Sequence, residues 1–259
     1  MTENVLHRLV AEARQETADR RALVSLEHLE QAAASHTPRD FVAALRRPGL
    51  SVIAEMKQRT PSMGVLVEDY KPGDLARTYT RGGAAAISVL THQAGFGGRP
   101  DHIREVRDNT KLPILRKDFI TDAYQVVEAK AVGADAVLLI VAALDMQGLG
   151  DLLDEVRKHG LTALVEVHNE QEADMALLAG ADVIGVNHRD LRTFKVDLGL
   201  TEQLRKVIPA NVLMVAESGI HTPEDARRMA EAGADAILVG EALMRADDPA
   251  ERIRELSSA

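Results

Sequence analysis

Apolar runs of strand length recur along the chain at nearly regular intervals. They begin at Gly83, Gly133, Gly180 and Gly233, which lie 50, 47 and 53 residues apart, and read GAAAISVL, GADAVLLI, GADVIGVN and GADAILVG. Each copy starts with a glycine suited to ending a helix and continues as a partly β-branched apolar run. Because each interval is long enough for two strand–helix units, a further strand is expected in every gap.

Those further strands are predicted at residues 51–57, 113–119, 162–167 and 212–218. Amphipathic helix patterns separate the strands, with examples at residues 122–132, 149–159, 170–178 and 222–232. The last of these opens TPED, with a threonine N-cap, a proline at the first helical position and an acidic first turn. Eight strands alternating with eight helices predict an α/β fold, a closed parallel (β/α)8 TIM barrel. An open doubly wound sheet is the alternative, but EMKQRTPSMG after the first strand is not its glycine fingerprint.

The amino-terminal part of the chain precedes the first barrel strand. We expect residues 1–259 to form a single barrel domain and residues 1–50 to be a helical extension packed on it. TENVLHRLVAEARQ and DFVAALRR both have the apolar stripe of a helix. Three placements are open for these helices: the barrel floor, the border of the active site, or a partner interface. Since the chain ends soon after the eighth strand, no fused second barrel is expected.

Composition excludes several classes of function. The chain has no cysteine, so disulfides, thiolate nucleophiles and cysteine-ligated metals are excluded. Its nine histidines are dispersed without ligand spacing, and we expect no metal site. A net charge of −9 argues against nucleic acid as a partner. No apolar run approaches the roughly 20 residues of a membrane span, and the amino terminus has no secretory apolar core. We therefore expect a cytoplasmic protein.

The strand ends carry charged residues that share a face with apolar ones. Since side chains alternate along a strand, residues two apart point the same way. In LPILRKDFIT, Lys117 therefore shares the inward face of Leu115 and Phe119, while Arg116 and Asp118 face the helices. The same parity places one set of polar groups in the barrel mouth, where the working groups of such barrels lie: Glu55, Lys57, Lys117, Glu166, Asn187 and Glu217.

Two interpretations of this set are possible. Strand-end charges can be a structural ion-pair network or can simply reach solvent. Three acids and two lysines that converge on one mouth favour catalysis, because enclosure shifts pKa values. A lysine whose pKa is lowered towards neutrality can act as a general acid, and a glutamate raised towards it can act as an acid or a base.

Glycines after the last two strands indicate a phosphate site. Ser218 and Gly219 follow the seventh strand, and Gly240 and Glu241 follow the eighth. These loops form the usual phosphate cradle of such barrels through backbone N–H groups. Two aromatic residues, Phe96 and Phe119, are candidates for an apolar pocket near the mouth, and a place in the core is the alternative for Phe119. His168 and His188 lie near the mouth too, either supporting the inner residues or facing solvent.

Six ordered motifs carry a resemblance that spans essentially the whole chain. VIAEMKQRTPSMG, PILRKDF, LVEVH, IGVNHRDLRTF, VAESGI and ILVGEALM resemble indole-3-glycerol phosphate synthase. The resemblance implies a (β/α)8 barrel with an amino-terminal helical extension, without metal or organic cofactor. It also implies conversion of 1-(o-carboxyphenylamino)-1-deoxyribulose 5-phosphate to indole-3-glycerol phosphate, CO2 and water, in tryptophan biosynthesis.

The resemblance also implies roles for individual residues. Lys117 is the general acid that assists ring attack on the substrate ketone, and Glu166 transfers protons in the later steps. Lys57 pairs with the substrate carboxylate or supplies a proton, and Glu55 orients the lysines. Contacts with the sugar hydroxyls and the balance of charge fall to Asn187 and Glu217, with Arg189 nearby. The phosphate-binding positions are Ser218, Gly219, Gly240 and Glu241.

Three positions depart from the family pattern. Thr60, Pro61, Ser62 and Met63 stand where the family commonly has Ser-Pro-Ser-Lys; Thr60 keeps the hydroxyl, but Met63 drops a positive charge. Glu241 replaces a frequent serine, and its carboxylate must point away from the phosphate. Arg99 stands where a small polar residue is common. These departures bear on loop dynamics and substrate affinity rather than on the reaction.

Two rival functions are less favoured. A related barrel, phosphoribosylanthranilate isomerase, uses a cysteine base, which this chain lacks. A barrel that only binds would have lost a key acid or base, and all six are present. We expect a small phosphorylated substrate as the partner and a monomer or weak homodimer.

Overall fold

Parallel strands close into a barrel in the computed structural model, which describes residues 5–61, 64–190, 193 and 195–259. The strands are β1 Ser51–Met56, β2 Arg59–Thr60, β3 Gly64–Val65, β4 Ala86–Leu90, β5 Ile114–Lys117, β6 Ala136–Ile140, β7 Thr162–Val167, β8 Val183–Asn187, β9 Leu213–Glu217 and β10 Ala236–Val239. The barrel order is β1-β10-β9-β8-β7-β6-β5-β4, and a short antiparallel pair, β2-β3, follows β1. The predicted TIM barrel is confirmed.

Helices precede the barrel and connect its strands. A 3₁₀ turn, Val141–Ala143, follows β6. The helices are α1 Val5–Leu23, α2 Leu26–Ala34, α3 Phe41–Leu45, α4 Pro72–Gly82, α5 Gln93–Phe96, α6 Asp101–Arg107, α7 Ala123–Ala131, α8 Met146–Lys158, α9 Glu170–Leu178, α10 Leu200–Leu204, α11 Pro223–Glu231, α12 Glu241–Met244 and α13 Pro249–Ser257.

Most predicted boundaries lie within a residue or two of the observed ones, and the exceptions have local causes. Helix α8 begins three residues before its predicted start, because the Asp145 side chain accepts the Gly148 N–H and caps the helix there. The cap predicted for α11 is present: Thr222 and Asp225 form a reciprocal capping box, with Pro223 as the first helical residue.

The amino-terminal helices occupy different places on the barrel. Helix α3 covers the floor, where Phe41 and Leu45 are fully buried against the aliphatic side chains that fill the barrel interior. Helix α2, which the sequence analysis missed, packs against α7. Helix α1 is longer than predicted, and its first turns reach the opposite end of the barrel, where Leu6 and Leu9 border the central cleft. The floor and the cleft border are therefore both occupied.

The barrel interior is apolar below its mouth. Ile53, Leu115, Leu164 and Val215 are buried within it, one on each of four strands. Each lies two residues before an inward-facing polar group, so the strand alternation predicted from the sequence is present. The aliphatic layer closes the lower barrel and leaves the carboxyl ends of the strands as the place for a site.

Candidate active site

Three charged side chains from different strands meet at the centre of the barrel mouth. Lys117 ends β5, and its Nζ lies 3.0 Å from Glu166 Oε2 on β7 and 3.0 Å from Glu217 Oε2 on β9. A second pair adjoins them, in which Lys57 Nζ lies 2.5 Å from Glu55 Oε1. The structure thus brings five of the six predicted polar groups into one cluster.

The cluster determines the charge of Lys117. Burial alone would lower the pKa of this ammonium, but the carboxylates of Glu166, Glu217 and Glu55 outweigh burial and raise the pKa above its usual value. The expectation of a lysine lowered towards neutrality is therefore wrong for Lys117. A protonated lysine remains a proton donor, because a substrate oxygen that gains negative charge can take the proton as it forms.

The two carboxylates that contact Lys117 differ in their proton affinity. Burial, reinforced by the nearby Glu166 and Glu55 carboxylates, raises the pKa of Glu217 to about 7, although Lys117 opposes this shift. Burial acts on Glu166 as well, but Lys117 and His168 outweigh it and hold the pKa of Glu166 well below its usual range. Paired groups whose pKa values diverge are the pattern of an acid/base site.

His168 holds Glu166 from the side away from Lys117. Its Nε2 lies 3.3 Å from Glu166 Oε1, and its Nδ1 lies 3.0 Å from Glu172 Oε2 on α9. Burial disfavours a charged imidazole, but the two carboxylates raise the pKa of His168 to about 10. His168 is therefore cationic at neutral pH and points towards Glu166 rather than towards solvent.

The loops after β8, β9 and β10 form the other end of the cleft. Asn187 and Arg189 line it, and the Arg189 N–H donates to Asn187 Oδ1 across 3.0 Å. Ser218 and Gly219 both have left-handed backbone, with φ of 70° and 76°. Such a conformation costs a non-glycine residue about 1–2 kcal/mol, so Ser218 is held there by its surroundings.

Gly240 and Glu241 complete this end of the cleft. A side chain at position 240 would collide with the Glu55 carboxylate and the Lys57 ammonium, so glycine leaves room for that pair. Glu241 begins the short helix α12, and its Oε1 lies 3.4 Å from Arg245 Nε. The carboxylate thus forms an ion pair one helical turn further along, at the rim of the cleft.

An apolar wall faces these loops across the cleft. The rings of Phe96 and Phe119 stack with centroids 6.4 Å apart, and Thr60 lies at the same rim. These three residues are among those predicted from the sequence, but the aliphatic members of the wall are not. Their signal was present as apolar positions on α1 and on the inward face of two even-numbered strands: Leu6, Leu9, Leu90, Leu138 and Ile140.

Two departures from the family pattern lie away from this cleft or outside the described residues. Arg99 borders a separate shallow groove, where its guanidinium lies 3.8 Å from Glu105. Arg99 is not among the residues that line the cleft, so the expected effect on substrate affinity is not supported by a direct contact with the site. Met63 lies outside the residues that the structure describes, together with Ser62.

The described residues contain neither a metal-binding group of side chains nor a membrane-spanning helix. Across residues 5–61, 64–190, 193 and 195–259, no group of three histidine or carboxylate side chains is arranged to hold a metal ion. In the same part of the chain, no helix has the length and apolar character needed to cross a bilayer.

The fold and the cleft define a class of protein, the (β/α)8-barrel enzymes with acid/base groups and glycine-containing loops at the carboxyl ends of their strands. Within that class, the indole-3-glycerol phosphate synthase family model matches residues 6–256, and the chain belongs to this family.

Named relatives agree with this membership. The chain is 57% identical to "Indole-3-glycerol phosphate synthase 2" of Streptomyces coelicolor over 253 residues, covering 97% of this chain and 98% of the relative. It is 48% identical over 256 residues to "Indole-3-glycerol phosphate synthase" of Mycolicibacterium smegmatis, covering 98% of this chain and 94% of the relative. The resemblance carried by the six motifs is confirmed.

Solved structures of more distant proteins share the fold. Thiamine phosphate pyrophosphorylase from Pyrococcus furiosus aligns with a TM-score of 0.63 at 22% identity, covering 81% of this chain and 94% of its own. Orotidine 5'-phosphate decarboxylase from Pyrococcus horikoshii aligns with a TM-score of 0.60 at 15% identity, covering 80% and 98%. At these identities the likeness concerns the fold alone.

Proposed function

We propose that the cleft converts 1-(o-carboxyphenylamino)-1-deoxyribulose 5-phosphate to indole-3-glycerol phosphate, CO2 and water, as a carboxy-lyase of tryptophan biosynthesis. The observation that carries this proposal is the position of Lys117, between two glutamates whose pKa values diverge. An apolar wall lies on one side of this lysine and the glycine-containing loops lie on the other.

The two ends of the cleft suit the two ends of this substrate. The aromatic ring would lie against Phe96 and Phe119, where apolar surface is available. The phosphate would lie at the loops that carry Ser218, Gly219 and Gly240, where backbone N–H groups can donate. The ketone between these ends would then lie near the Lys117 ammonium.

Lys117 would donate its proton to the ketone oxygen as the ring carbon that bears the carboxylate attacks the ketone carbon. The carbon–carbon bond closes the five-membered ring, and the former ketone oxygen becomes a hydroxyl. The carbon–carbon bond to the carboxylate then breaks, CO2 leaves, and its electron pair restores the aromatic ring. A protonated lysine beside the forming alkoxide stabilises the negative charge that develops there.

Glu166 would take part in the dehydration that follows. Its carboxylate is ionised and accepts the proton from the carbon next to the ring nitrogen, while the hydroxyl leaves with a donated proton as water. Lys57, bonded to Glu55, holds the substrate carboxylate in the first step or supplies the proton for the leaving hydroxyl in the last.

The remaining polar residues would hold the sugar and the charge of the site. Asn187 and Glu217 flank the cleft centre from β8 and β9 and can reach sugar hydroxyls, with Arg189 beside the phosphate end. Glu55 keeps Lys57 in place through its short contact. Glu241 would contribute its backbone N–H to the phosphate. Its carboxylate pairs with Arg245 and so does not have to face the phosphate.

The test is turnover of the named substrate by purified protein without added metal, followed by indole fluorescence. We expect Lys117→Ala to lower kcat by about 10²–10⁴-fold, the usual contribution of a positioned proton donor. The matched control is Lys158→Ala, because Lys158 is an exposed lysine that pairs with Glu155 on its own helix. No product from folded wild-type protein would refute the activity, and an unimpaired Lys117→Ala would refute the role of Lys117.

We also infer that residues 1–259 act as one domain, as a monomer or weak homodimer in the cytoplasm. Membership of an amino acid biosynthesis family supports this location. Support for the oligomeric state comes from exposed apolar side chains that belong to separate elements, such as Leu23, Met146 and Leu178. Light scattering across a concentration series would reveal a tight dimer if this inference is wrong.

A further inference from the structure

His188 lies buried beside the turn that carries the proposed phosphate site. It directly follows β8, its backbone N–H donates to the Glu217 carbonyl across 3.0 Å, and its carbonyl accepts the Asp197 N–H. Only 2% of its surface is exposed. The imidazole is thus fixed next to β9 at the residue where that strand passes into the turn.

Both ring nitrogens of His188 have close partners. Nδ1 lies 2.8 Å from the Ser218 carbonyl oxygen, and Nε2 lies 2.6 Å from Thr201 Oγ1 on α10. Since a carbonyl oxygen can only accept, Nδ1 must carry the hydrogen. Burial lowers the pKa of His188, and the charge of Arg228 lowers it further. The hydrogen bond to the Ser218 carbonyl and the charge of Asp197 act in the opposite direction but do not outweigh burial. The ring is therefore neutral, and Nε2 accepts the Thr201 hydroxyl hydrogen.

Ser218 is the residue that needs such support. Within the described part of the chain, it is the one non-glycine residue with positive φ. Gly219 also has positive φ but bears no side chain that resists this conformation. The backbone of Ser218 is strained, and strained residues persist only when their surroundings hold them in place.

We propose that His188 is a positioning residue that holds the Ser218 carbonyl and so keeps the Ser218–Gly219 turn in its phosphate-binding conformation. The Ser218 carbonyl fixes the ring tautomer in which Nδ1 is the donor, and Thr201 suits this tautomer by donating its hydroxyl hydrogen to Nε2. His188 does not touch the phosphate in this arrangement; it acts through Ser218. The inference rests on the proposed function, which assigns the substrate phosphate to this turn.

Two substitutions separate the two bonds of the ring. In His188→Asn the side-chain amide nitrogen can take the place of Nδ1 and still donate to the Ser218 carbonyl. In His188→Gln the amide nitrogen reaches the place of Nε2 instead, so the bond to Ser218 is lost while a contact with Thr201 remains. The pair thus provides a test variant and a matched control at one position.

We expect His188→Gln to raise KM by about tenfold, the factor that corresponds to one lost hydrogen bond. The inhibition constant of inorganic phosphate should rise by a similar factor, while kcat changes little. His188→Asn should keep both constants near the wild-type values. Steady-state kinetics with phosphate as a competitive inhibitor, at temperatures where both variants are folded, gives all three constants.

Several results would overturn the inference. Equal losses in His188→Asn and His188→Gln would show that only the volume of the ring matters. A fall in kcat at unchanged KM would also contradict it, as would an unchanged phosphate inhibition constant in His188→Gln. Failure of the proposed function is distinguishable, because the wild type would then form no product, whereas binding of inorganic phosphate measured by calorimetry needs no turnover.

Discussion

Consecutive residues of β5 belong to two charge clusters with opposite character. Arg116 points outward, towards the helices, where it is fully buried and lies 3.0 Å from Asp118 and 2.8 Å from Glu128. Lys117 points inward, where it lies 3.0 Å from both Glu166 and Glu217. We call these the outer and the inner cluster. The prediction that Arg116 faces the helices is confirmed by its contacts with Gln125 and Glu128 of α7, whereas Asp118 pairs with Arg116 and also borders the cleft.

The outer cluster is fully bonded. Arg20 and Arg116 pair with Asp118 and Glu128, and Arg20 also lies 3.9 Å from Glu16. Arg116 also donates to the Gln125 carbonyl across 3.1 Å. Despite burial, these partners raise the pKa of Arg116 and lower that of Asp118, so both remain charged. Such a network favours the folded arrangement of β5 and α7 over alternatives in which the charges would be buried without partners.

The inner cluster is not fully bonded. Two lysines and the cationic His168 lie among its three glutamates, yet both Glu217 carboxylate oxygens lack a well-aligned hydrogen bond, although one lies close to Lys117. The pKa of Glu217 is raised towards neutrality as a result of burial and its acidic neighbours. A buried polar group without a partner is costly to folding, and such costs are characteristic of functional sites. We infer from this difference that the outer cluster stabilises the fold and that the inner cluster belongs to a ligand-binding site.

The largest effect on stability should come from breaking the outer cluster. We expect Arg116→Met to lower the free energy of unfolding by about 3–5 kcal/mol, because Asp118 and Glu128 would remain buried and lose a partner. Urea denaturation measures the loss. Arg104→Met is the matched control, since Arg104 forms an exposed pair with Asp101 and should cost less than about 1 kcal/mol. A loss in Arg116→Met no larger than in the control would remove the distinction between the clusters.

The inner cluster should respond in the opposite sense. The folded pKa of Glu217 is about 7, above the unfolded value of 4.5, so the folded state binds this proton more tightly. The Glu217 contribution to stability therefore falls as pH rises from 4.5 to 7 and is constant above that range. Glutamine does not titrate, so Glu217→Gln does not lose this stability as the pH rises. The variant should gain stability relative to the wild type across that window, by about 3 kcal/mol at most, while losing activity.

Thermal unfolding at several pH values between 4 and 8 gives this difference directly. Glu224→Gln serves as the control, because Glu224 lies in the first turn of α11, away from the cleft. If the difference in stability between Glu217→Gln and the wild type stays constant from pH 4.5 to 7, the pKa of the Glu217 carboxyl is not raised. A stabilised variant with full activity would show that Glu217 is dispensable to the reaction.

Periodicity alone allowed the barrel and most of its mouth to be predicted. Strand parity separates Arg116 from Lys117, and this depends only on alternation along an extended chain. Other features depend on contacts between residues distant in sequence, such as the approach of Leu6 and Leu9 to the cleft or the bond from His188 to the Ser218 carbonyl. The pKa of Lys117 likewise depends on three carboxylates from other strands. They raise this pKa, whereas the sequence favoured a lowered one.

The smallest expected effect concerns the link between the outer cluster and the cleft. Arg20 on α1 forms two hydrogen bonds with Glu128, at 2.7 and 3.1 Å, while Leu6 and Leu9 on the same helix border the cleft. Because Arg20 is partly exposed and Glu128 keeps its bond to Arg116, we expect Arg20→Met to cost only about 1 kcal/mol of stability.

A looser α1 should also weaken the apolar wall slightly, so we expect KM in Arg20→Met to rise about two- to threefold at unchanged kcat. Arg254→Met is the control for α1, because Arg254 forms an exposed pair within α13 and should leave KM unchanged. Equal KM values in the two variants would mean that the outer cluster stabilises the fold without influencing the cleft. A rise in KM confined to Arg20→Met would show that the outer cluster also holds the apolar wall of the cleft in place.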